Sequence, residues 1–223
     1  MLAAVRPAWH TLGTVIVVTV ALISAPTAGW AQVLGTWAPA TPEPTDSYKA
    51  GGFLIVGEPF GLVGQFRTGI DTNWDIGIQL GAPDFDFGNE TLVGIAGDVK
   101  YLVLPEDEDF PFDMALDIAL GLQHAGDFNL VDFDFGAVGS KKVTTDGGTT
   151  LIPYGALMLA IGHFSVDVDT PAGNVSVSDT ELDVNVRFGL DWPLSSDVDF
   201  LSELNLSSRE ETLSISAGLM LGL

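Results

Sequence analysis

Four Asp-x-Asp pairs are the residues of this 223-residue chain best spaced for chemistry: Asp84 with Asp86, Asp132 with Asp134, Asp167 with Asp169, and Asp197 with Asp199. Alternate side chains of an extended segment share a face, so each pair offers two neighbouring carboxylates. Oxygen donors of that kind suit calcium. None of the pairs has the Asp-x-Asp-x-Asn-Gly spacing of a calcium loop, although "DFDFGNE" comes nearest. The competing reading is solvated carboxylates in turns or on a polar strand face, and no metal site or cofactor is assigned.

His124 and His163 are the other candidates, with Asp127 near the first in sequence. A histidine held beside a carboxylate can act as a general base. No His-Glu-x-x-His, Gly-x-Ser-x-Gly, phosphate-loop or dinucleotide motif accompanies them, so no catalytic residue is assigned. The chain has no cysteine, which excludes disulfides, thiolate metal sites and a thiol nucleophile. With 30 acidic residues against eight basic ones, it also lacks the basic patch that nucleic-acid binding needs.

The elements that would position these residues are strands. In "ELDVNVRFGLDW", Leu182, Val184, Val186, Phe188, Leu190 and Trp192 share one face, and every charged residue is on the other. "FDMALDIALGLQ", "WDIGIQLG" and the closing "ETLSISAGLMLGL" alternate in the same way. Ten strands are predicted, near 49–57, 60–69, 73–82, 91–104, 111–123, 128–137, 150–163, 181–191, 197–206 and 211–222. Those near 49–57 and 150–163 alternate poorly. An eight-stranded alternative merges the first strand into the preceding segment and makes 124–149 one loop.

The N-terminal "MLAAVRPAWHTLGTVIVVTVALISAPTAGWAQ" has one Arg, an uncharged run from Val15 to Ile23 and small residues before Gln32, the layout of a signal peptide cleaved after Ala31. Arg6 is the only charged residue before that point, so the net charge of −22 becomes −23. Residues 32–48, rich in Pro and Thr, read as a mobile lead-in to a domain over 49–223.

Two architectures share this alternation: a soluble secreted β-sandwich, with its apolar face inward, and a transmembrane barrel, with its apolar face in lipid. Here the polar face is rich in Asp and Gly rather than Lys and Glu, and strands of 9–11 residues suffice to cross a bilayer. On the signal layout, "GLVGQFRTGIDTNWDIGIQLG", "FGLDWPLSSDVDFLSELNL" and "LSISAGLMLGL", the chain resembles the small bacterial outer-membrane β-barrels of the porin-like superfamily. The resemblance implies an all-β, antiparallel up-and-down barrel in the outer membrane, with lipid as its surroundings. It also implies insertion by the barrel assembly machinery, which in this family reads a last strand usually ending in an aromatic. Here the last residue is Leu223.

In such a barrel "IDTNW", "PEDEDF", "SKKVTTDGG" and "WPLSSD" become periplasmic turns, with outer loops near 58, 83–90, 124–127, 164–180 and 207–210. Trp74, Tyr101, Tyr154 and Trp192 become interfacial anchors. Polar parity places Arg67, Asp75, Asp98, Lys100, Asp113, Asp117, Asp183, Arg187, Asp199 and Glu203 in the lumen as an ionic network, with Asp183 and Asp199 nearest Arg187. Four functions fit: a structural, surface-interaction or small-solute pore barrel, a cation-favouring small porin, an outer-membrane hydrolase using rim His and Asp, or the soluble sandwich.

Overall fold

Strands with one apolar and one polar face must bury one and satisfy the other, and this chain does so by closing a sheet into a ring. The fold comes from a computed structural model, which describes residues 37–57, 60–87, 90–170, 173–208 and 213–223. The signal segment and residues 32–36 lie outside the described residues, as do the loop position near 58 and part of the loop at 207–210.

The strands are β1 (Tyr48–Gly57), β2 (Gly61–Gly69), β3 (Trp74–Phe87), β4 (Glu90–Leu104), β5 (Asp113–Ala125), β6 (Phe128–Ser140), β7 (Val143–Thr144), β8 (Thr150–Thr170), β9 (Gly173–Pro193), β10 (Val198–Ser207) and β11 (Leu213–Gly222). β7 is a two-residue bridge inside the connection from β6 to β8. The other ten pair antiparallel in chain order, with β6 joined to β8 and β1 to β11. The barrel is therefore closed, and no strand presents a free edge along its body. The eight-stranded alternative fails because β1 supplies partners to both β2 and β11, and Phe128–Ser140 pairs along its whole length with β5.

The apolar parity faces outward. Leu80 and Leu182 are 64% and 65% exposed, while Asp117 and Asn185, on the opposite parity, are 2% and 0% exposed. An apolar outer band around a polar interior inverts the soluble sandwich and matches a lipid-facing wall. Among the described residues no helix is long and apolar enough to cross a membrane.

Both termini of the sheet lie at one end, where the Leu223 amide donates to the Tyr48 carbonyl. The short turns gather there. The Asp71 carboxylate caps the first by accepting from the amides of Asn73 and Trp74, and Asp107 does the same for Asp109 and Phe110. Tyr48, Trp74, Tyr101 and Trp192 ring the outer face at this end, with the Trp74 and Tyr101 rings 4.4 Å apart. Tyr154, expected among these anchors, points inward instead and is 5% exposed.

At the far end the strands run further than expected. Residues 83–87 continue β3, and most of 164–180 is strand, because β8 and β9 pair from Ile152 with Asp191 to Thr170 with Gly173. β8 leaves β6 after Val166, and β9 meets β10 only from Asn185 onward. The tip of this hairpin therefore stands beyond the ring with ladder partners on one side.

Candidate functional site

Chemistry in this molecule is concentrated on the inner wall. Arg67 on β2 lies opposite Gly77 on β3, which lies opposite Asp98 on β4. With no side chain at Gly77, the guanidinium passes over β3 and bonds Asp98 at 2.5 Å; a Cβ there would meet both groups. Arg67 also bonds Asp75 at 2.5 Å, and Lys100 reaches the other oxygen of Asp75 at 3.2 Å. Arg67, Lys100 and Asp75 are each 2% exposed or less. Charges so far from water are tolerated only when paired and hydrogen-bonded, which this geometry provides.

Glycine lets a side chain cross a strand a second time. Tyr154 on β8, Gly189 on β9 and Glu203 on β10 form one row, and the Tyr154 hydroxyl donates to Glu203 over 3.0 Å. A Cβ at Gly189 would occupy the place of the Tyr154 ring. Arg187 reaches Asp134 on β6 at 3.3 Å. Asp134 adds to the Asp183 and Asp199 that sequence parity offers, because closure of β6 against β8 brings it within reach, and in-strand parity carries no information on that pairing. Asp199 pairs with Lys49 at 2.8 Å, and Asp183 accepts from the hydroxyls of Ser207 and Ser208.

Of the ten residues assigned to the lumen, nine are buried on the inner face. Asp113 sits at the rim near the termini, half-buried, accepting from the Glu106 amide and the Thr41 hydroxyl. The buried bases among the described residues are Arg67, Lys100 and Arg187, whereas the buried carboxylates number ten. The inner wall is strongly acidic.

The lead-in is where sequence and structure differ most. Residues 37–40 are buried inside the ring rather than mobile outside it. The Trp37 ring stacks on Phe53 at a centroid distance of 4.5 Å, its indole N–H donates to Ser216 over 2.6 Å, and its amide donates to Glu203 over 3.2 Å. Lys100 donates to the Pro39 carbonyl over 2.5 Å, the Ala40 amide to Ser140 over 3.0 Å, and the Glu43 amide to Asp75 over 3.0 Å. Two apolar clusters receive the segment. Trp37 packs among Phe53, Ile55, Val63, Ala96, Leu201 and Met220, and Ala40 among Ala115, Val138, Tyr154, Ala156 and Met158. The poor alternation of β1 and β8 was the legible sign of these seats.

Among the described residues the carboxylates of the Asp-x-Asp pairs do not converge. Asp134 bonds Arg187, and Asp132 accepts from Gln123 over 3.3 Å. Asp84 is buried beside the irregular end of β3, Asp197 is in an exposed turn, and the side chains of Asp86, Asp167 and Asp169 lie outside the described residues. Among the described residues no three His, Asp or Glu are grouped to hold a metal ion. His124 and His163 lie on the outward parity near the far rim. Their Nδ1 atoms face Asn129 Oδ1 at 2.9 Å and Thr180 Oγ1 at 2.8 Å, so neither of these contacts supplies the carboxylate a general base uses.

A closed ten-stranded antiparallel ring with an apolar exterior and a charged interior is the architecture of a transmembrane β-barrel. Among solved structures, the chain is similar to one from the de novo design of transmembrane β-barrels, at 14% identity and a TM-score of 0.38, over 82% of this chain and 99% of that one. The N-terminal β-barrel domain of Pseudomonas aeruginosa OprF gives 14% identity and a TM-score of 0.37, over 81% and 100%. The KdgM porin in complex with disordered oligogalacturonate gives 9% and 0.40, over 78% and 98%. No family model matches the sequence, and no curated protein does.

Proposed function

We propose that the mature chain, cut after Ala31, is an outer-membrane barrel with a structural or surface-interaction role, closed to bulk solute flow in the state described here. The burial of Arg67, Lys100 and Asp75 to 2% exposure or less carries this reading. A conducting pore keeps its selectivity charges wet, and small barrels fill their interiors with side chains. Burial of this degree supports a filled lumen. With both ends of the sheet in the periplasm, lipid surrounds the apolar band and the β8–β9 hairpin extends outside the cell. Each of its strands has 21 residues where about 9–11 cross a bilayer, so it can present polar backbone well above the lipid surface. No catalytic step is assigned.

Refolded full-length mature protein in a planar bilayer tests the closed state. A silent membrane is expected, and discrete openings of the wild type would overturn it. Intact mass should begin at Gln32, and retention of residues 1–31 would overturn the processing. A tag in residues 105–110 should stay unlabelled on intact cells, and surface labelling would invert the orientation.

A further inference from the structure

We propose that residues 37–43 are a plug bound in the lumen, and that the barrel without them is a cation-selective conduit. The proposal rests on the outer-membrane reading above and adds an activity to it.

The wall does not fill its own centre. The ion pairs between strands run along it: Arg67 to Asp98, Arg187 to Asp134 and Lys49 to Asp199 each join strands two positions apart in the ring, and Lys49 also holds Glu43 of the segment at 3.0 Å. Residues 37–43 behave otherwise. The Trp37 amide bonds Glu203 on β10, while the carbonyl of Pro39, two residues on, takes its hydrogen bond from Lys100 on β4. In a ring of ten, those strands stand five positions apart and so face each other across the axis. The segment crosses the lumen that the wall side chains leave open.

Its composition fits that place. Pro39 and Pro42 remove two backbone donors and stiffen an extended path, and the amides of Trp37, Ala40 and Glu43 each find an acceptor on the wall. Gly69 lets the chain enter, since a Cβ there would meet the carbonyls of Glu43 and Pro44, and Thr45 bridges directly to it. Trp37 holds a left-handed φ of 33°, unusual for a bulky residue, in a site that fixes it by stacking and two hydrogen bonds.

The selectivity follows from the bonds the segment makes. It donates to Glu203, Asp75 and Asp113, three carboxylates that lose a donor when it leaves. Ten buried carboxylates against three buried bases then line a wetted passage. Such a wall concentrates cations and repels anions.

The test compares wild type with a deletion of residues 37–43, each refolded and checked for the heat-dependent gel shift of a closed barrel. Ion flux from KCl-loaded vesicles should rise at least tenfold in the deletion variant, with a reversal potential on the potassium side in a KCl gradient. The synthetic peptide TWAPATPE should block that current. A folded deletion variant that stays silent, or prefers chloride, overturns the inference and leaves the closed-barrel reading standing. Equal conductance in both proteins overturns both. Thr41→Cys with Asp113→Cys, in a chain otherwise free of cysteine, gives a second arm that does not depend on the deletion folding. The oxidised pair should cross-link in the folded barrel and hold flux at the wild-type level. Failure to cross-link overturns the seat itself.

Discussion

The inner faces of β4 and β5 and those of β1 and β8 do opposite work. The first two carry Asp98, Lys100 and Asp117 on a strictly alternating pattern, and Asp98 and Lys100 pair with charges on neighbouring strands, while Lys100, Ala96 and Ala115 also meet the N-terminal segment. The second two carry Phe53 and Ile55, or Ala156 and Met158, on a pattern that breaks alternation, and their partner is the N-terminal segment. In a barrel whose outside is already apolar, an apolar inner face has no use unless protein covers it. Broken alternation therefore marks the larger apolar seats of the segment, and clean alternation marks where buried charges hold most of the wall.

This contrast can be broken at its strongest point first. Arg67→Leu leaves Asp75 and Asp98 buried without the guanidinium, and removing one side of a buried pair costs about 3–5 kcal/mol. The urea midpoint of the barrel in lipid vesicles should fall accordingly, and a loss under ~1 kcal/mol would show that the wall does not depend on its ion pairs. Trp37→Ala attacks the other class. It removes a buried aromatic and the indole hydrogen bond to Ser216 while keeping the backbone amide, for about 3 kcal/mol. The same titration reads it, and an unchanged midpoint would detach the segment from the stability of the barrel.

Gly189→Ala sharpens the comparison, because its Cβ displaces the Tyr154 ring from its path to Glu203, an overpacking cost of about 1–3 kcal/mol. Adding Tyr154→Ala in the same chain should abolish that increment, and full additivity of the two changes would refute the crossing. The smallest effect is expected at Lys141→Ala, where an exposed pair with Glu106 at 3.7 Å is worth under about 0.5 kcal/mol. A larger drop there would mean that surface charge, not the lumen, governs stability.

Much of this was legible in the sequence. Alternation in "ELDVNVRFGLDW" fixed which side of Arg187 faces inward, and the Asp and Gly content of that face separated a barrel from a sandwich. The ion pair of Arg187 with Asp134 was not legible, because Asp134 comes near only when β6 closes on β8 past the β7 excursion, a long-range event without a local signal. The lead-in was misread for a related reason. Pro39, Pro42 and Pro44 give it the composition of a loop, yet the same missing donors suit a strand-free passage through a polar interior. The length of the β8–β9 hairpin could have been found, since Val166 and Val168 before the tip and Val175 and Val177 after it keep the strand period. Tyr154 was assigned by residue type when its parity with Ala156 and Met158 already placed it inside.

The route by which the N-terminal segment enters has a consequence for time. The chain turns at Pro44–Ser47, where the Ser47 amide donates to the Pro44 carbonyl, and passes inward at the same mouth where β1 begins. No strand is threaded through another, and all ten ladders of the ring lie outside the segment's path. Trp37 is thus buried like a core residue, at 2% exposure, but its release needs no ladder to unzip. An ordinary core side chain meets solvent only when the whole domain opens; this one can come and go on the faster clock of local exchange, while the ring around it persists.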